Sequence, residues 1–86
     1  MAGAQAWQNL FENWPSELPK NGQIVTAYAE TIKFVDFLLG DGLVFIERDR
    51  PDSFGARKVM ITYDAINAVK LESAVELEKF KLLGFR

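Results

Sequence analysis

The stretch that most constrains this chain is residues 59–71, V-M-I-T-Y-D-A-I-N-A-V-K-L. Val59, Ile61 and Tyr63 alternate with Met60 and Thr62, the two-residue period of a pleated strand. Asp64 and Ala65 break that period, because an aspartate bonds its own backbone and favours turns. Ile66 plugs the turn, and Asn67, Val69 and Leu71 then alternate with Ala68, Lys70 and Glu72. Two strands joined by so little chain predict a one-turn 3₁₀ crossing from one sheet to the next, an arrangement of small β-barrels.

The rest of the chain supplies what such a unit needs. Trp7, Leu10, Phe11 and Trp14 fall on one side of a predicted helix over residues 5–14, which Pro15 stops. A ten-residue helix is marginal alone, so its aromatic stripe either caps the open end of a barrel or anchors a partner. The first strand is read over 23–29, with Ile24, Thr26 and Tyr28 on one face, and a turn at Glu30 and Thr31. The second, 32–39, slips phase near Phe34 and Val35, which predicts a bulge or a sharp bend there. Gly40, Asp41 and Gly42 form the clearest turn. The third strand, 43–50, begins apolar and ends in Glu47, Arg48, Asp49 and Arg50; a loop over 51–56 carries Phe54. Ser73 and Glu76 have the spacing of a capping box, with Leu77, Phe80 and Leu83 on a short helix ended by Gly84; a continuing strand is the other reading of this tail. The expectation is one domain, 1–86: helix, five-stranded bent barrel over about 22–72, and tail 73–86.

With 86 residues, 49% of them hydrophobic and 13% aromatic, either the core is unusually aromatic or some rings face another subunit. The chain has no Cys and no His, which excludes disulfides, the usual zinc sites and Cys- or His-based nucleophiles. No cofactor is called for. Asp36 with Asp41, and Glu76 with Glu78, are carboxylate pairs by sequence only, so no enzyme is expected. The absence of a basic, apolar leader and of a spanning segment makes the cytoplasm the default expectation, away from membranes. A net charge of −2 gives no global attraction for nucleic acid, so such binding needs local clustering.

One helix, five strands with a bent second strand and a one-turn crossing between the last two: this plan resembles the Sm/LSm family of small barrels, with the bacterial Hfq branch the nearer comparison, and it is similar to Sm-like proteins of marine cyanophage type. Tyr63 and Ile66 stand near the family's Tyr and Ile around the crossing, and Asp41 falls where members carry a loop Asp. The chain departs from the pattern at Val35, where the family has Gly, at Gly42 and Leu43 after the loop Asp, and at Thr62, Asp64 and Ala65, where members carry Arg or Lys-His. The resemblance implies an SH3-like barrel that forms a homo-oligomeric ring, pentamer to heptamer, in which the fourth strand pairs with the neighbour's fifth. Val59, Ile61, Val69 and Leu71 would lie in or beside that seam. It also implies single-stranded RNA, or DNA, as partner.

The residues offer two candidate contacts for such a partner. In the ring that the resemblance implies, Gly40 to Gly42 (with Asp41) and Tyr63 to Ala65 (with Asp64) would be the pore-side loops, with Thr62 beside them; Tyr63 is either a stacking face for a base or a core ring with its hydroxyl at the rim, and Asp41 either meets a base edge or holds its turn. Arg48, Arg50, Arg57 and Lys58 flank the loop with Phe54, which reads as a single-strand platform or as a solvated hairpin tip. A protein-interaction or phage assembly module without nucleic acid is the alternative function.

Overall fold

A single connection forces the sheet to curl. The computed structural model describes residues 2–86. Helix α1 spans Ala2–Glu12, followed by strands β1 (Gly22–Thr26), β2 (Thr31–Leu39), β3 (Leu43–Arg48), β4 (Lys58–Thr62) and β5 (Ile66–Lys70). All pairings are antiparallel, in the order β4-β3-β2-β1-β5, so β4 and β5 are the two outer strands of one sheet. Yet only the 3₁₀ turn Tyr63–Ala65 joins them. Laid flat, five strands would hold the outer pair about 19 Å apart, whereas the step from Thr62 to Ile66 reaches at most about 14 Å fully extended. The sheet therefore bends, and the turn is tied to both sides of the bend: Tyr63 N–H donates to Gly42 O (3.2 Å) and Ala27 N–H to Ala65 O (2.7 Å). The mainly β fold with an N-terminal helix is the one predicted.

Alternation decides what the bend encloses. Ile24, Ile32, Phe34, Val44, Ile46, Ile61 and Ile66 project inward and are buried. The predicted bulge is present: the β2–β3 register shifts between Phe34 and Asp36. Val35 is the extra residue, half exposed, and its insertion returns Phe37 to the interior beside Phe34, ring centroids 6.0 Å apart. Helix α1 lies over the 3₁₀ turn and closes the barrel mouth. Its Phe11 enters the core, stacked on Trp14 (5.5 Å) and edge-on to Phe37 (5.0 Å).

Three local expectations differ from the structure. The first turn comes before Glu30, with β1 ending at Thr26 and Tyr28 exposed rather than on the strand face. Buried Thr26 makes that turn, its Oγ1 accepting from the N–H groups of Tyr28 (3.3 Å) and Glu30 (3.2 Å), while Ala29 takes φ 67°. The capping box does not form: Ser73 Oγ accepts from Val75 N–H (3.0 Å), and the tail becomes a 3₁₀ helix, Leu77–Leu83, with no side-chain cap. Helix α1 ends at Glu12, two residues short of the predicted limit. Gly84 does end the tail helix, at φ 96° with its N–H on Lys81 O.

Candidate nucleic-acid interface

The ten residues singled out for nucleic acid do not form one site. Leu43 pairs with Thr62 at one end of the β3–β4 hairpin and Glu47 with Lys58 at the other. Gly40, Asp41, Gly42, Thr62, Tyr63 and Asp64 gather at the first end, and Arg48, Arg50, Arg57 and Lys58 at the second. Five strand steps, about 17 Å, separate Leu43 from Arg48.

The turn end is built as the sequence suggests but lacks the chemistry. The turn over 40–42 and the 3₁₀ turn are neighbours through the Tyr63–Gly42 bond. Asp41 and Asp64 are exposed, so the charge presented there is negative. The stacking reading of Tyr63 is overturned: the residue is 1% exposed, with its ring 6.0 Å from that of Phe11. Even the hydroxyl is enclosed, rather than at the rim, and has no hydrogen-bond partner among the described residues. Burial raises its pKa above the ordinary phenol range, and the Glu12 carboxylate adds to the rise. Strand parity carried the signal, because Tyr63 shares a face with Ile61.

A prediction follows for Tyr63. Tyr63→Phe removes an enclosed polar atom without opening a cavity, so stability is expected to stay level or rise, by up to about 1–3 kcal/mol, in chemical denaturation; a clear loss would show that the hydroxyl is bonded. The raised pKa means the neutral ring is the form the fold holds. Its contribution is present in full below the ordinary phenol range and lost as pH rises through the shifted value, so phenolate absorbance from Tyr63 should emerge with alkaline unfolding.

The basic end is better suited to a polyanion, though partly neutralised. Lys58 Nζ lies 3.4 Å from Glu47 Oε2 and Arg50 Nε 3.5 Å from Asp49 Oδ2. Arg48 Nε donates to Arg50 O (3.1 Å), and Arg57 makes no ion pair among the described residues. The loop between β3 and β4 is organised by Asp52, whose Oδ1 accepts from Phe54 N–H (2.8 Å) and Ala56 N–H (2.9 Å). Those bonds, Ala56's first, hold its carboxyl below the ordinary carboxylate range. The result is a hydrogen-bonded knuckle that carries Phe54, 96% exposed. Among the described residues no group of three or more His, Cys, Asp or Glu side chains could hold a metal, and no helix is long and apolar enough to cross a membrane.

The seam residues divide by depth. Ile61 is buried in the core, while Val59 on β4, Val69 on β5 and Leu71 just past the end of β5 are half-buried. Missed in the sequence was an exposed apolar row on the outer face of the sheet. Leu38 pairs with Phe45 and Phe45 with Met60, so the three side chains run across β2 and β3 to the free side of β4; Leu38 is 68% and Met60 66% exposed.

No family model, curated protein or solved structure matches this chain.

Proposed function

We infer that the chain is a non-enzymatic Sm-like subunit that assembles through its two outer strands into a homo-oligomeric ring and binds single-stranded nucleic acid at the basic rim. The observation that carries this reading is the pair of outer edges, β4 and β5, each strand-paired on one side only among the described residues, with the Leu38–Phe45–Met60 row running out to one of them. An open strand edge flanked by apolar side chains is a template for another strand, and joining β4 of one copy to β5 of the next satisfies both edges at once. The arginine end of β3 and β4 would recur around one rim, with Phe54 as the ring on which a base stacks. There the four cations face Glu47, Asp49 and Asp52, so each copy adds little charge and repetition supplies the avidity.

Solution mass is the first test. Five to seven copies of a 9.7 kDa chain give about 49–68 kDa, and Leu38→Lys with Met60→Lys is expected to return the mass to that of one copy without changing the β spectrum. A wild-type monomer at tens of micromolar would end the ring reading. Titration of labelled oligo-U and oligo-dT then tests the rim: log affinity against log salt should fall with a slope of roughly −3 to −5, near −0.7 for each neutralised phosphate. Arg57→Ala should flatten it, and Asp41→Ala should not. Assembly without any binding at low salt would favour the protein-interaction module, a reading supported by the net charge of −2 and the acidic turn end.

A further inference from the structure

Outside the sheet, a groove of about 670 Å³ lies between α1 and the C-terminal segment. Trp7, Leu10 and Trp14 of the N-terminal part form one wall, Leu77, Phe80 and Phe85 the other, and Val69 of β5 lies between them. The walls offer hydrocarbon and almost no hydrogen bonding: the Trp14 indole N–H is already given to Leu18 O (3.1 Å) and Pro19 O (3.3 Å). The ionisable lining groups are Glu78, Lys81 and Arg86, all on the C-terminal segment, and Glu78 is paired with Lys81 at 3.2 Å. Leu77 (86%) and Phe85 (62%) remain largely exposed at the lips.

We propose that this groove binds a free single-chain fatty carboxylate, the alkyl chain lying between the tryptophan wall and the C-terminal 3₁₀ helix and the carboxylate meeting Arg86 and Lys81. The size is that of a small-molecule site, which is mostly apolar with a few convergent polar groups. An alkyl chain is the occupant that asks nothing of such walls, whereas a peptide would bring amide groups needing partners into them. Two cations against one carboxylate at the groove favour an anionic head, in a chain that is acidic as a whole. Binding would cover the exposed Leu77 and Phe85 and hold the tail against α1.

The chain has two tryptophans, and both line the groove, so their emission reads occupancy directly. Decanoate, laurate and myristate, each below its micellar concentration, are titrated into the full chain, with dodecanol as the neutral control. A saturable blue shift is expected, with affinity rising about fourfold per methylene. Laurate should bind roughly tenfold more tightly than dodecanol, and Arg86→Gln with Lys81→Gln, both on exposed residues, should erase that preference while leaving dodecanol binding intact. The proposal is overturned by the absence of a saturable shift, by equal affinity for acid and alcohol, by binding to anionic vesicles but not to monomeric laurate, or by a blue shift that grows with protein concentration alone, which would assign the groove to a second copy.

Discussion

Phe11→Ala is expected to lower stability by about 3–5 kcal/mol, and a thermal melt followed by circular dichroism should shift down by roughly 15–30 °C. The magnitude follows from position. Phe11 is 1% exposed and touches four other rings, Trp14, Phe34, Phe37 and Tyr63, at centroid distances of 5.5, 6.5, 5.0 and 6.0 Å. It is also the fully buried side chain of α1, with Ala4 and Trp7 packed only partly against the core, so truncation both opens a cavity and loosens the helix. A domain of this length has about 4–13 kcal/mol in total, which makes the loss a large share of what holds the fold. Phe54→Ala, at the exposed loop tip, should change stability by less than about 0.5 kcal/mol. A small effect at Phe11 would mean that the helix does not seal the barrel.

Gly22→Ala is the second large effect, about 2–4 kcal/mol. Gly22 takes φ +156°, and a Cβ there would stand 2.5 Å from the backbone oxygen of Lys70. That oxygen belongs to β5, which pairs with β1 beginning at Gln23 and Lys70, so relief requires pushing an outer strand off its neighbour. Amide exchange should accelerate in β5 more than in β3, and the denaturation midpoint should fall. Gly42 makes the contrast: at φ +81° an alanine would meet nothing within 4 Å, and only the left-handed backbone is penalised, by about 1–2 kcal/mol.

The parts of the fold that were legible are those set by local periodicity. The 59–71 unit announced itself because alternation stopped for two residues and resumed, and the bulge because the inward phase changed between Phe34 and Phe37. The turn after Thr26 was hidden because a buried threonine side chain supplies its acceptor and an alanine its positive φ, neither a composition signal. The short tail helix was legible, and its 3₁₀ type follows from Leu77, Phe80 and Leu83 recurring every three residues. The two candidate contacts were legible as groups of side chains, but the sequence does not show that they stand at opposite ends of one hairpin. Cross-strand rows such as Leu38, Phe45 and Met60 are invisible until register is known.

The inserted Val35 has a wider consequence if copies join as proposed. A head-to-tail contact repeats one rotation, and the outcome depends on whether successive rotations complete a full circle. The bulge contributes to the curvature of each link and hence to that angle. Removing one residue there would send Phe37 to the outer face and take Leu38 out of the apolar row, so the angle between links and the surface that joins them would change together.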